Sequence, residues 1–317
     1  MRDRPGAAAQ RRRPCVRKVH FIQADVFSDS PFGGNPVVVV PDARGMTADE
    51  MQALVRGMSF AETAFVVPPS RPDAAFALRC FTPTTEVAYS GHQLLGATFV
   101  MAGRGPLPLA DGRSQVMVQI ADDVVPVTIG HGPDGRILRV AALDQPAQFV
   151  RVVDDFSTTA AALSTDPLEI LHTGLPIQVV QTGLSCLIVP MRSLRTVRAV
   201  MPMRQALDAV LQDVGAVCAL VFTTETLAAR NDVHVRVFAP PLGVDEDPAT
   251  GSANGALAAY LWRHGVKTAP RARLRCEQGS EIGRPSVVEI EVDAAAQPMS
   301  ILVGGRVARS VEGSVFF

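Results

Sequence analysis

Three side chains able to move protons stand at turns of this chain: Glu62, His92 and Asp247. Glu62 lies in Met58-Ser59-Phe60-Ala61-Glu62-Thr63, at the start of an apolar strand. His92 follows Gly91 in Ser90-Gly91-His92-Gln93. Asp247 belongs to Asp245-Glu246-Asp247-Pro248-Ala249-Thr250-Gly251-Ser252, where the Ser252 hydroxyl is free to donate to a ligand. Carboxylates and an imidazole brought together are a general acid–base set. Taken singly, each has a plainer reading: a strand-end Glu in water, a surface or cap His at a helix start, and an acidic loop before a helix capped by Thr250. Three adjacent carboxylates suit a helix dipole, yet they also repel one another, which holds one protonated in some settings. A helix N-terminus favours neutral imidazole as hydrogen-bond donor or proton carrier.

The elements that must position these groups occur twice. Phe81-Thr82-Pro83 is followed by Ser90-Gly91-His92, and Phe238-Ala239-Pro240 by Thr250-Gly251-Ser252; Phe to Gly is 10 residues in one copy and 13 in the other. Each copy reads as a strand end, a turn and an apolar helix. Two helix starts facing each other across a cleft would offer unpaired N–H groups and positive dipole ends, a setting for a carboxylate. Between the copies, strands are expected at 19–27, 37–40, 62–67, 75–81, 115–129 (a hairpin), 177–190, 217–223 and 233–239. Helices are expected at 47–57, with Thr47 and Glu50 as a capping box, at 91–102, 202–213 and 251–264. Strand hairpins packed around one long helix per half give an α+β fold.

The chain has 317 residues, enough for two domains. Its 47% apolar and 19% charged composition is globular, and a net charge of −1 lacks the basic footprint of a nucleic-acid binder. No apolar run approaches the roughly 18 residues a membrane span needs. Residues 1–16, with Arg11-Arg12-Arg13-Pro14, read as a disordered tail, and no apolar signal segment appears before Val19. The five cysteines (Cys15, Cys80, Cys186, Cys218, Cys276) are widely spaced with no C-x-x-C, which supports neither a disulfide framework nor a zinc site and points to a reducing, cytoplasmic setting. Gly33-Gly34-Asn35-Pro36 has no phosphate-loop spacing. Gln278-Gly279 and Gly283-Arg284-Pro285-Ser286 form a second Gly-rich loop, either a strand connection or part of a cleft wall.

Together these segments resemble the PhzF-like (phenazine biosynthesis) family. The resemblance rests on Asp25-Val26-Phe27 with Gly34-Asn35-Pro36, Ser59-Phe60-Ala61-Glu62-Thr63, Phe81-Thr82-Pro83 with Ser90-Gly91-His92, Glu246 to Ser252, and Gln278-Gly279 with Gly283 to Ser286. It implies a diaminopimelate-epimerase-like fold: two pseudo-equivalent halves, each a curled sheet around a central helix, here residues 17–145 and 146–299, with 300–317 available to rejoin the first. It implies a cofactor-free, metal-free site between the halves in which Glu62 moves a proton between carbons, with His92 and Asp247 lining the same site. Gly91, Gly251 and Ser252 would hold a substrate carboxylate, with Asn35 and Gln278 as further binding residues. The chain departs from the family pattern at Ser90, where Ala or similar is usual, and at Gln93, where Pro is common.

The expected function is a cofactor-independent isomerase of a small conjugated or amino-acid-derived carboxylate, without nucleic acid or membrane partners; a homodimer is an open assembly. One rival is an epimerase or racemase, with Asp247 as the second base. Racemases of this fold use two cysteine bases at the helix starts, where this chain has Ser90 and the Pro248-Ala249-Thr250 turn. The other rival is a catalytically silent small-molecule binder on the same fold.

Overall fold

The computed structural model describes residues 17–58, 62–105 and 112–317. The expected tail at 1–16 and the Ser59–Ala61 part of the Glu62 segment lie outside the described residues. The first half runs β1 (Lys18–Val26), β2 (Asn35–Val40), α1 (Ala48–Met58), β3 (Thr63–Val67), β4 (Phe76–Phe81), β5 (Glu86–Val87), α2 (Gly91–Ala102), β6 (Arg113–Ile120), β7 (Asp123–His131) and β8 (Ile137–Leu143). The second runs β9 (Gln148–Val153), α3 (Phe156–Ala162), α4 (Leu168–Leu171), β10 (Ile177–Gln181), β11 (Ser185–Pro190), α5 (Leu194–Ala199), α6 (Arg204–Val214), β12 (Cys218–Thr223), β13 (Val233–Ala239), β14 (Val244–Asp247), α7 (Gly251–Arg263), β15 (Arg271–Gln278), β16 (Ser286–Asp293) and β17 (Ser300–Gly305). β18 (Val307–Phe316) ends the chain, and short 3-10 turns occupy Pro240–Leu242 and Ser280–Ile282.

The two halves repeat one pairing scheme. β1–β2 is antiparallel, β2–β3 parallel, β3–β4 antiparallel, β4–β6 parallel, and β6–β7–β8 antiparallel. β10–β11, β11–β12, β12–β13, β13–β15 and β15–β16–β17 follow the same sequence of directions. The parallel steps need crossovers, and α1 and α5–α6 supply the first in each half, α2 and α7 the second. The halves exchange their last strands. β9, which follows β8 of the first half, pairs with β10 of the second, and β18 returns from the second half to pair with β1 of the first. β8 pairs with β17, so the hydrogen-bonded ladder continues from one half into the other.

Local sequence explains the placement of the helices. α1 has its apolar side chains on one face, burying Met51, Leu54 and Val55, and it starts on the expected capping box: Glu50 accepts from Thr47 N at 2.8 Å and Thr47 Oγ1 from Glu50 N at 3.3 Å. α2 and α7 are apolar nearly all round, so they sit centrally rather than on the surface. β2 lies between these layers. Val37 and Val39 face the core around α2, while Val38 and Val40 face the layer under α1, which is why this run is continuously β-branched. The main core contains the inner faces of both α2 and α7, so it runs through both halves. Phe27, at φ +68°, closes the junction: its ring lies where a Cβ on Gly251 would approach within 3.3 Å. That close fit accounts for glycine at the first position of α7.

Candidate active site

The two repeated turns bring the starts of α2 and α7 to the junction between the halves, where the helices contact each other. Ser90 and Thr250 occupy the N-cap positions with extended backbones, as their sequence positions suggest. Neither side chain caps its helix. Instead, each hydroxyl bonds a carboxylate: Ser90 Oγ donates to Glu62 Oε2 at 3.0 Å, and Thr250 Oγ1 donates to Asp247 Oδ2. The plain reading of Thr250 as a cap is therefore corrected. The first-turn amides of both helices are left without a capping side chain.

Glu62 immediately precedes β3 and is clasped by the first turn of α2. Its Oε2 accepts from Ser90 Oγ and Gln93 Nε2, and His92 Nε2 stands 3.4 Å away. His92 Nδ1 lies 3.4 Å from Ser90 Oγ, which makes a Glu62–Ser90–His92 triangle. Among the described residues, no hydrogen bond reaches Glu62 Oε1. The Glu62 side chain keeps 30% of its exposure, so it is not sealed in the core.

Asp247 ends β14 and is held differently. Asn35 Nδ2, from the first half, donates to Asp247 Oδ1 at 3.0 Å and to Ala249 O at 2.9 Å. Both Asp247 oxygens are thus engaged. Burial pushes the Asp247 carboxyl above the ordinary aspartate range. The Thr250 hydroxyl and the His92 charge pull it back, the Glu62 charge pushes it further up, and the Asn35 amide lowers it. These couplings place Asp247 near Glu62 and His92, although 185 residues separate Glu62 from Asp247.

The acidic stretch does not behave as three repelling neighbours. Asp245 pairs with Arg204, and Glu246 makes a two-pronged pair with Arg236 at 2.8 and 2.9 Å. Arg236 also donates to the carbonyls at the end of α5. The expected mutual repulsion is therefore corrected, since Asp245 and Glu246 each have an arginine partner of their own. The charge that raises Asp247 comes from Glu62.

The remaining sequence candidates separate into two groups. Gly91 has open space over its Cα, bordered by the Tyr89 ring 3.9–4.0 Å from where a Cβ would stand. Gly251 packs on Phe27, and Ser252 directly follows it, its carbonyl accepting from Thr182 Oγ1 at 3.0 Å. Gln278 is fully buried and binds its own turn. Its Nε2 donates to Asp247 O at 2.7 Å, and its Oε1 accepts from Thr250 N at 3.2 Å and Asn254 Nδ2 at 2.8 Å. Asn35 and Gln278 therefore act on the Asp247 turn from opposite sides.

Sequence reasoning quoted Asp25 and Arg284 without a role. In the structure the buried Asp25 pairs with the partly exposed Arg284, and the pair fixes the Asn35 loop. Arg284 donates to Asp25 Oδ1 at 2.8 Å, Gly33 O at 2.7 Å and Gly34 O at 2.8 Å, and Asp25 Oδ2 accepts from Phe32 N at 2.7 Å. Ser286 Oγ donates to Pro248 O at 3.0 Å, so one short segment anchors both the Asn35 loop and the Asp247 turn. The only sequence signal was the pairing of two Gly-rich motifs at opposite ends of the chain. Cys80, the cysteine nearest the first turn, is buried in β4, and burial, with a smaller push from Glu62, raises its thiol to about 12. It is not a usable base near neutrality. Two open hollows of about 620 and 690 Å³ lie elsewhere on the surface, and none of Glu62, His92 and Asp247 lines them.

The paired halves with central helices, and the acids gathered where those helices begin, define the class by architecture: a two-half α+β fold with its polar residues at the junction. A hydroxyproline epimerase structure from Agrobacterium vitis has this fold at TM-score 0.61 and 15% identity, covering 95% of this chain and 91% of that one. A PhzF-family protein from Bacillus anthracis is closer, at TM-score 0.85 and 26% identity over 94% of this chain and 99% of its own. Residues 24–313 match the family model described as phenazine biosynthesis-like protein, and this chain belongs to that family. Its relatives include an uncharacterized isomerase of Bacillus subtilis, YfhB, 32% identical over 292 residues (92% of this chain, 96% of that protein). Another is trans-2,3-dihydro-3-hydroxyanthranilate isomerase of Pseudomonas aeruginosa, 29% identical over 298 residues (93% and 99%).

Proposed function

We propose that this protein is a cofactor-independent isomerase that moves a proton between carbons of a small conjugated or amino-acid-derived carboxylate. Glu62 Oε1 takes the proton as the C–H bond breaks, and the electron pair spreads through the substrate's π system. The same oxygen then returns the proton to another carbon, so atoms and charge balance without an external acid or base. The first-turn amides of α2 and α7, at Gly91 and at Gly251–Ser252, bind the substrate carboxylate and stabilise the charge that builds there. His92 and Asp247 orient the polar group beside the departing proton. Action in the cytoplasm as a homodimer belongs to the same reading, and light scattering on the purified chain tests the assembly.

One observation supports a single shuttle over a two-base epimerase: among the described residues no hydrogen bond reaches Glu62 Oε1, whereas both oxygens of Asp247 accept one, from Asn35 and Thr250. A second base at Asp247 would take its proton on an oxygen that already accepts from Asn35 or Thr250, bonds that favour the ionised form and so lower its basicity. The test uses trans-2,3-dihydro-3-hydroxyanthranilate and a panel of β,γ-unsaturated amino carboxylates in D₂O. Deuterium at a new carbon is the expected result, and label at the original carbon with inversion would establish an epimerase instead. A ligand bound unchanged would support the silent binder. Glu62→Gln, close to isosteric, is expected to keep the circular dichroism spectrum while turnover drops by about 10²–10⁴-fold or more.

A further inference from the structure

Two side chains of the α2 start, Ser90 and Gln93, bond the same oxygen of the same carboxylate. Ser90 Oγ and Gln93 Nε2 both donate to Glu62 Oε2. They come from the N-cap and the first turn of α2, a rigid 12-residue helix packed in the core. We propose that Ser90 and Gln93 are positioning residues that immobilise Oε2 of Glu62, so that proton transfer runs through Oε1 alone. The inference rests on the reading of Glu62 as the proton shuttle.

Burial at Gln93 supports it. Gln93 is fully buried, and among the described residues its Oε1 has no hydrogen-bond partner. A buried amide with an unsatisfied oxygen is unfavourable, and Leu or Met would fill the same space without that penalty. What the amide adds is a charge-assisted bond to Glu62, roughly twice as strong as a neutral one. The terminal torsion of a Glu is otherwise broad, and its two oxygens exchange places by rotation. Two donors fixed on one helix turn remove that freedom and hold the free oxygen in one place. Reaction rates depend steeply on such placement, with about 10²-fold lost for a misplacement on the order of 1 Å.

His92 completes the geometry. Ser90 has one hydroxyl proton; with that proton directed to Glu62, its lone pair faces His92 Nδ1 at 3.4 Å. The imidazole thereby orients the Ser90 hydroxyl, and Ser90 transmits that orientation to the carboxylate. The other groups that act electrostatically with Glu62 are Asp247 at the end of β14 and Cys80 on β4, and no donor of theirs reaches it.

The test combines crystal structures with kinetics on Ser90→Ala, Gln93→Met and the double variant. In wild type the Glu62 carboxylate is expected in one orientation, and in the double variant in more than one. Deuterium uptake by trans-2,3-dihydro-3-hydroxyanthranilate should show kcat falling about 10–100-fold in the double variant, with KM changed less than about threefold, as for lost placement rather than lost binding. Ser90→Thr keeps the hydroxyl and should recover most of the Ser90→Ala loss, which a packing role would not produce. Ser90→Ala removes only one hydroxyl from a half-buried site, so it retains a folded test case should Gln93→Met destabilise the core. A single unchanged Glu62 orientation in the double variant overturns the proposal, whatever the probe does. If Glu62→Gln is inactive while the double variant turns over normally, the shuttle stands and the positioning role fails. If Glu62→Gln turns over normally, the shuttle reading itself fails.

Discussion

Replacing Asp144 with Asn is expected to stabilise this protein at neutral pH and to lose that advantage in acid. Asp144 follows β8 at the seam between the halves, where its amide donates to Ile301 O at 2.8 Å. Its Oδ1 accepts from Gln145 N at 2.9 Å. Its Oδ2 makes no hydrogen bond of ordinary geometry among the described residues, Thr182 and Gly183 acting on the carboxyl only weakly, and it lies so close to Gly255 of α7 that a Cβ there would collide with it. Burial pushes the carboxyl from the ordinary 3.8 up to about 6, against the opposing pull of the Gln145 amide, the Thr182 hydroxyl and the Gly183 amide. The folded state therefore holds this proton more tightly than the unfolded chain. The penalty is absent below the unfolded value, grows as pH rises toward about 6, and is complete above it. A rise of about two units corresponds to about 3 kcal/mol as an upper value. Asn keeps the shape and the acceptor for Gln145, and its amide meets the same partnerless spot as a protonated carboxyl, so those contributions nearly cancel. The expected gain is about 2 kcal/mol at pH 8, shrinking to about zero at pH 4. Tyr89 is pushed up to about 12, mainly by burial and partly by Asp144, and so stays outside this window. Urea denaturation of both proteins from pH 4 to pH 8, with equal m-values, reads the difference directly. A pH-independent difference, or a wild type more stable at pH 8, would refute the reasoning.

Cys80→Ser is expected to leave turnover nearly unchanged while lowering stability by about 1–3 kcal/mol, because a hydroxyl replaces a buried thiol in β4; a folded but inactive variant would revive a thiol base. Arg284→Ala leaves Asp25 buried without its cation and should cost about 3–5 kcal/mol in urea or thermal denaturation. A loss under about 1 kcal/mol would show that the pair does not hold the Asn35 loop. Exhaustive chelation is expected to leave turnover intact, since the sequence carries no paired metal-ligand spacing and the proton route uses only side chains. Activity lost on chelation and restored by a divalent ion would contradict that.

Much of the fold was legible because its signals are local. The β-branched run of β2, the capping box of α1 and the two turn–helix repeats each declare themselves within a dozen residues. β9 and β18 were not legible in the same way. No strand was expected at 148–153, where the stretch near 145–150 reads as a linker, and the return of the chain's end to the first half followed from the family resemblance, not from the local pattern of 307–316. α4, with four residues, is too short to show a period. The Asp25–Arg284 pair spans 259 positions, and nothing in either segment alone names its partner. At Glu62 the local reading, a solvated strand end, gives no hint of the donors that α2 supplies.

The repeated turns show most clearly where local rules give way. Ser90 and Thr250 are residues of the kind that cap helices, at cap positions, with cap-like backbones. A capping bond there would contribute about 1 kcal/mol per helix, and nothing in either sequence forbids it. Both hydroxyls instead bond a carboxylate, and the two carboxylates come from elements that are not equivalent: Glu62 from the start of β3, Asp247 from the end of β14. Internal duplication alone would repeat both partners of each bond, but here it repeats only the hydroxyl and the helix start. Two helices forgoing their caps in this way is a local cost that stability does not explain, and such conflicts collect at functional sites. What the arrangement leaves is two sets of uncapped amides beside two held acids. Among the described residues, Glu62 keeps one oxygen that accepts no hydrogen bond, whereas each Asp247 oxygen accepts one.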